Sequence, residues 1–284
     1  GEYRRQRQMC IRDSGSPVCI VVSGSDFTNV TNCRFYGNPT NFVVYYSGPG
    51  NLPANQPTLD AYNNNQLSRC NIFEKNLVVS YFQHDSLVFA LQMEGTVQNN
   101  IIYGCRMAVY MVKETVVVNN YLYNSKSNGI TCSVPSHHLD VCNNYIKNAT
   151  ATGINIMEQL EHGDTPIDDF FIDVHENTVI GCHNGIDIVD CKSCKVDGNI
   201  VRECTENGIT TLRTEFTDIT NNKVINCSNG INVSVDTYSC NIKDNSVYNY
   251  DPNSASKNGI KIEKNTGDNL ISNNTINIHD ITYQ

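Results

Sequence analysis

Apolar and polar residues alternate with a period of two in short bursts along nearly the whole chain, as in Gly185-Ile186-Asp187-Ile188 and Lys223-Val224-Ile225. Such bursts predict short strands with one face buried, and no stretch of about ten residues carries the 3.6-residue apolar period of a helix. Two phrases set the rhythm. The first reads Asn128-Gly129-Ile130, Thr152-Gly153-Ile154, Asn184-Gly185-Ile186, Asn207-Gly208-Ile209, Asn229-Gly230-Ile231 and Asn258-Gly259-Ile260, with weaker copies at Met107-Ala108-Val109 and Asp85-Ser86-Leu87. From position 86 to 259 its steps are 22, 21, 24, 32, 23, 22 and 29 residues. The second keeps the same beat: Asn99-Asn100, Asn119-Asn120, Asn143-Asn144, Glu176-Asn177, Gly198-Asn199, Asn221-Asn222, Asp244-Asn245 and Asn273-Asn274.

Two markers in one phase with a period near 22 describe a solenoid. The L-x-x-L-x-L frame of leucine-rich repeats is absent, which leaves a coil of about three short strands separated by tight turns. Stacked coils would form parallel sheets about 4.8 Å apart, and Asn at one fixed place per coil would bond its counterparts above and below. The pattern resembles the right-handed parallel β-helix of the pectate-lyase-like group, whose turns carry asparagine ladders. That resemblance implies an all-β solenoid of about 9–10 coils, roughly 22 residues each, with asparagine and cysteine ladders. It covers residues 80–280 clearly and 15–80 loosely, through Val30-Thr31-Asn32-Cys33, Asn41-Phe42-Val43-Val44 and Arg69-Cys70-Asn71-Ile72. Residues 15–284 are expected to form one domain, with a long Pro/Gly/Asn loop over 47–66 and a loop insertion over 157–171.

Composition narrows the picture. The chain has 284 residues, of which 40 are Asn and none Trp. Asn tolerates left-handed turns and bonds its own backbone, so its abundance fits frequent turning. A net charge of -9 argues against nucleic acid as a partner. No run approaches the roughly 18 to 20 apolar residues of a membrane-inserted helix. Residues 1–14 carry Arg4, Arg5, Arg7 and Arg12 and resemble translated sequencing-adapter read-through, so they are expected to be an artefactual or disordered arm. On that reading the natural N-terminus is missing, and the want of a signal peptide says nothing about secretion.

Thirteen Cys invite a disulfide or metal reading. Five residues beyond each ladder Asn, however, stand Cys105, Ser125, Ala149, Cys182, Cys204, Cys227 and Tyr250. A position shared by Cys, Ser and Ala is a small inward slot, and a buried thiol column follows. Cys182, Cys204 and Cys227 would be near enough for bridges between coils. Cys191-Lys-Ser-Cys194 is a lone C-x-x-C without the second pair of a zinc ribbon.

With Gly as position zero, +1 and +3 should face in, and +2 and +4 out. The +2 row reads Val88, Tyr110, Thr131, Asn155, Asp187, Thr210, Asn232 and Lys261. Position +5 reads Lys113, Val134, Glu158, Asp190, Arg213, Val235 and Lys264. Glu158, Asp190 and Arg213 thus fall on successive coils, beside an insertion that holds Glu161, His162, Asp164, Asp168 and Asp169. Two carboxylates one coil apart suit acid/base work on a glycosidic bond, and Arg213 suits a sugar carboxylate. Asp190, Glu158 and Arg213 are therefore the catalytic candidates. Asp187, Asn155, Thr210, Asn232 and His162 are the substrate-binding candidates. Glu158, Asp187 and Asp190 also make a candidate calcium set. Tyr103, Tyr121 and Tyr123 sit on strands and are expected to pack inside.

The resemblance implies a polysaccharide as partner: a lyase, hydrolase or epimerase on an acidic glycan, secreted or in the cell envelope. The R-x-P-x-x-R stretch of pectate lyases is absent, and so is the G-H-G of polygalacturonases. Asn184-Gly-Ile-Asp187 and Gly259-Ile-Lys261-Ile262 match the latter's other motifs only in part, so no catalytic residue carries over. The competing expectation is a non-catalytic adhesin, surface or phage-tail module that binds glycan or protein. It is favoured by an outer row of Thr and Asn.

Overall fold

The computed structural model describes residues 10–13, 18–23, 25–37, 42–47, 68–80, 86–91, 93–110, 112–134, 136–158, 171–249, 258–264 and 266–278. Residues 48–66 of the expected long loop, and 159–170 of the expected insertion, lie outside these. Three parallel sheets run along the chain. Sheet A has 11 strands, from Cys10–Asp13 to Thr275–Ile278, sheet B has 10, from Val18–Ser23 to Asn258–Ile262, and sheet C has 10, from Asn29–Thr31 to Leu270–Ser272. Each coil visits the three in order. Asn207–Leu212 lies in B, Asp218–Thr220 in C and Lys223–Ile225 in A, and Asn229–Val233 then returns to B one coil on. This is the expected parallel β-helix.

Cys10–Asp13 departs from the expected N-terminal arm. It pairs in parallel with Arg34–Gly37 as the first strand of sheet A. Its backbone meets a strand edge that would otherwise present unpaired groups.

The inward positions are filled by β-branched residues from all three sheets. Ile186 and Ile188 from B, Val196 from C and Val201 from A are all fully buried. The small slot is buried as well: Cys105, Ser125, Ala149, Cys182, Cys204 and Cys227 line it, while Tyr250 lies outside the described residues. The eleven cysteines whose side chains are described are free thiols, and all but Cys70 are buried. Most of them lean on a carbonyl two residues earlier, as Cys182 does on Ile180, Cys204 on Arg202 and Cys227 on Ile225. Burial pushes the Cys182 thiol up to about 11. Cys191 and Cys194 follow the same habit, bonding Val189 and Lys192, so the C-x-x-C is two packing thiols.

The corner between sheets C and A carries the ladder. Its first residue is left-handed in every coil, with φ between 54° and 64° from Lys75 through Asn99, Asn119, Asn143, Glu176, Gly198, Asn221 and Asp244 to Asn273. Asn, Asp and Gly reach that region at least cost. The second residue is the buried Asn. Each Nδ2 reaches the next Asn Oδ1 at 2.9–3.1 Å, from Asn76 through Asn100, Asn120, Asn144, Asn177, Asn199, Asn222 and Asn245 to Asn274. The same Oδ1 also accepts the preceding Asn backbone N–H, as in Asn199 N to Asn222 at 2.9 Å.

The corner between A and B explains the glycines. A Cβ on Gly185, Gly208 or Gly230 would strike Val201, Val224 or Val247 of sheet A and the carbonyl of the next glycine in the row. Backbone and core side chain approach too closely there for any other residue.

Replacing Asn199 by Ala strands the Val174 carbonyl and two donors of Asn177 in the interior. At about 1–3 kcal/mol for each buried group left unpaired, we expect Asn199→Ala to lower stability by roughly 3 kcal/mol or more. Asn199→Asp should fare no better, since it accepts but cannot donate. Urea unfolding of the two variants, beside the exposed Asn221→Ala, checks this.

Candidate functional site

Sheet B turns the expected row outward. Thr131, Asn155, Asp187, Thr210, Asn232 and Lys261 are in direct register on six successive strands. Upstream the expected phasing is corrected. Thr131 stands beside Ala108 and Ala108 beside Phe89, so Tyr110 and Val88 leave the row. Arg106, where the later coils have Gly, shifts the true phase by two residues. The one-residue slip at Val88 reverses its face as well.

Beside this row runs a second polar file, formed by the residue preceding each glycine. Asn207 Nδ2 donates to Asn184 at 3.2 Å, Asn229 to Asn207 at 2.9 Å and Asn258 to Asn229 at 2.7 Å. The two files meet at Asp187. Its Oδ2 accepts Thr152 Oγ1 at 2.7 Å and Asn184 Nδ2 at 3.0 Å. Burial raises the Asp187 carboxyl above the usual range, against the lowering effect of Thr152, Asn184 and Thr210. A carboxyl so placed keeps its proton where ordinary carboxylates have lost theirs.

Three oxygens in the row are left over. Asp187 Oδ1, Thr210 Oγ1 and Asn232 Oδ1 are closed off from solvent and make no well-aimed hydrogen bond among the described residues, although the Thr210 hydroxyl lies close enough to the Asp187 carboxyl to lower it. They stand on three successive coils, on the outer face. Asn155, Thr210 and Lys261 in the same row are partly exposed. Lys261 Nζ contacts Glu263 at 2.7 Å, and Glu263 accepts Ser234 Oγ at 2.9 Å. A shallow pocket lined by Val235, Lys261, Ile262, Glu263 and Lys264 lies at that end.

The catalytic candidates are partly brought together. Asp190 and Arg213 end adjacent strands in left-handed conformation, with φ of 54° and 50°. Arg213 grips Asp190 with both arms of the guanidinium, Nε on Oδ1 and Nη2 on Oδ2. Each is thus the other's partner on an exposed edge. Glu158 ends the strand Thr152–Glu158, but its side chain, like all of His162, lies outside the described residues. Among the described residues, no group of three metal-ligating side chains includes Asp187 or Asp190. Two such groups lie on sheet C instead, Glu114 with His137 and His138, and Asp140 with Cys142 and His175.

Sequence reasoning missed Thr152 and Asn184, which hold Asp187, because it read the residue before Gly as a turn former only. The tyrosines are a correction. Ile102, Leu122 and Ile146 face the core, so Tyr103 and Tyr121 face out, 40% and 48% exposed. Tyr103 stacks on Tyr123 at 4.9 Å, and Tyr145 closes the group at 5.8 Å from Tyr123. Period two turned each neighbour of an inward aliphatic residue outward.

Comparison with known proteins adds the following. The family described as right handed beta helix region matches residues 18–163. The family described as periplasmic copper-binding protein (NosD) matches residues 167–283. No curated protein matches by sequence. Among solved structures, the A-module of a mannuronan C-5 epimerase from Azotobacter vinelandii is similar, with a TM-score of 0.66 and 13% identity over 95% of this chain and 78% of its own. ORF18 of Geobacillus virus E2 has a TM-score of 0.61 and 13% identity, over 93% of this chain and 50% of its own. The tailspike receptor binding domain of Siphovirus 9NA has 0.53 and 12%, over 94% and 72%. At these identities the likeness is one of fold.

Asp187 binds more protons folded than unfolded, so its contribution is present below the ordinary carboxylate range, about pH 4, and is lost as pH rises through its raised value. We expect Asp187→Asn, equal in shape and neutral, to match the wild type at low pH and to melt higher above it. Melting temperature against pH for both proteins decides this. The exposed Asp190–Arg213 pair should matter little to folding: Arg213→Ala is expected to lower stability by about 1 kcal/mol at most, measured by urea unfolding.

Proposed function

The chain belongs to the right-handed β-helix family, and on that premise we propose that it is an extracellular or envelope protein that engages polysaccharide along the outer face of sheet B. One observation carries this reading: the polar row Asn155, Asp187, Thr210, Asn232 and Lys261, in direct register on five successive strands. Its side chains recur at an interval of one coil, about 4.8 Å, close to the advance of one sugar ring along a glycan. Asn155, Thr210 and Lys261 would meet the chain first, and Lys261 would favour an acidic one.

Asp187 supplies the chemistry of an enzymatic reading. Burial raises its carboxyl above the usual range, which suits a proton donor, and Thr210 stands beside it on the next coil. Protonation of the departing glycosidic oxygen serves a hydrolase or a lyase, and return of a proton to C-5, after a base has removed one from the other face, serves an epimerase. Asp190, Glu158 and Arg213 stay in this proposal as the groups at the edge of the face, where Arg213 would meet a sugar carboxylate on leaving Asp190. The closed Asp190–Arg213 pair favours the second reading, a module that binds glycan without turning it over.

The test pairs binding with turnover. The chain is run in affinity gels loaded with acidic and neutral polysaccharides, and assayed with Ca²⁺ for unsaturated uronides, new reducing ends and C-5 inversion. We expect retardation by at least one acidic glycan, weakened about tenfold in the double variant Thr210→Ala/Asn232→Ala. Turnover abolished in Asp187→Asn would support the enzyme, and binding without turnover the module. A folded chain that no polysaccharide retards would overturn both.

A further inference from the structure

A different face carries donor atoms that the polysaccharide reading leaves unused. On sheet C, Asp140 and Cys142 stand two residues apart on the strand His137–Cys142 and so point to the same side. The strand Ile172–His175 of the next coil sets His175 directly beside Cys142. One donor atom each from Asp140, Cys142 and His175 lies within 4.8 Å of the other two.

The contact between Asp140 and His175 is not an ordinary hydrogen-bonded pair. His175 Nε2 is 2.9 Å from Asp140 Oδ1. Yet Oδ1 is closed off from solvent and makes no well-aimed hydrogen bond among the described residues, so the ring nitrogen points past it, while the Cys142 thiol reaches the same carboxylate. Two lone-pair atoms drawn close while pointing past each other are disposed as ligands of one ion. On the other side of the ring Glu176 Oε2 lies 3.7 Å from His175 Nδ1, beyond hydrogen-bond reach but within the ring's electrostatic surroundings.

We propose that Asp140, Cys142 and His175 bind a single divalent transition-metal ion of the zinc type. The donor set is one carboxylate oxygen, one sulfur and one imidazole nitrogen. That set suits Zn²⁺ or Co²⁺ and not Ca²⁺ or Mg²⁺, which take oxygen. A tetrahedral ion with bonds of about 2.0–2.3 Å places its ligands roughly 3.5 Å apart, so the side chains need close only slightly. Cys142 is buried, while the side chains of His175 and Asp140 are 32% and 39% exposed. The fourth position therefore opens outward to water or a small ligand, as in sites that keep a free coordination position. His137 and His138 start the same strand and meet Glu114 of the preceding coil's strand Lys113–Val118, but Glu114 is exposed and its carboxylate already holds His138. That group serves as the control.

The experiment is a Co²⁺ titration of the full chain, tag-free and reduced, followed in the near ultraviolet where thiolate-to-cobalt charge transfer absorbs. We expect saturation at one equivalent and reversal by Zn²⁺. The band should vanish in Cys142→Ser, weaken at least tenfold in apparent affinity in His175→Asn, and persist in Glu114→Gln. Circular dichroism reports whether each variant folds. Should Cys142→Ser fail to fold, the partly exposed His175→Asn and Asp140→Asn decide. A wild-type chain with no saturable band overturns the site, and so does a band that His175→Asn leaves unchanged.

Discussion

Each ladder asparagine works on three partners at once. Asn199 gives one amide hydrogen to the Val174 carbonyl of the coil before and the other to Asn222 of the coil after, and takes two hydrogen bonds from Asn177. These bonds lie in a dry interior, where they strengthen one another and where a missing member is most costly. They fix which residue of one coil sits on which residue of the next. Every column in the molecule inherits that registration: the glycine row, the thiol slot, the polar row of sheet B and the donor cluster of sheet C.

Much of this is written plainly in the sequence, because a column is a repeat. The Asn pairs and the Asn-Gly-Ile phrase mark two corners of the coil, and alternation between them assigns Ile186 and Ile188 to the core and Asp187 to the outside. Phasing failed where its marker was missing, since Arg106 occupies the place of Gly and Tyr110 was set two residues out of line. What alternation cannot express is how polar side chains on adjacent coils choose one another. Arg213 closing on Asp190, and Thr152 and Asn184 converging on Asp187, depend on side-chain reach. The sheet C cluster was within reach of the same method. Counted back two residues from each ladder Asn, the column reads Cys142, His175, Asp197, Thr220 and Lys243. The reading followed the glycine phrase instead, and that phrase indexes a different sheet.

The charged groups divide by setting. Burial alone would raise Asp197, but hydrogen bonds from Thr220 and Asn221, with the charges of Lys195 and His175, outweigh it and hold the carboxyl below the usual range. Asp187 receives comparable bonds and is still raised, because it lies deeper and has no cation against it. The contrast comes from position on the coil. Sheet C sets Asp197 near Lys195 and His175, whereas in sheet B Thr152 and Asn184 surround Asp187 with neutral donors.

Coil length in this fold is free to change. Asn100 and Asn120 are 20 residues apart and Asn144 and Asn177 are 33 apart, yet the two amide contacts measure 2.9 and 3.0 Å. In the longer of these coils the extra residues fall between the sheet B strand Thr152–Glu158 and the sheet C strand Ile172–His175, and in the last coil between Asn249 of sheet A and Asn258 of sheet B. The chain thus keeps its place by landmarks rather than by counting, as a builder levels each course to a plumb line whatever the size of the stones between. An insertion between sheets B and C lengthens the rim that both candidate sites share while leaving the stack beneath it unmoved.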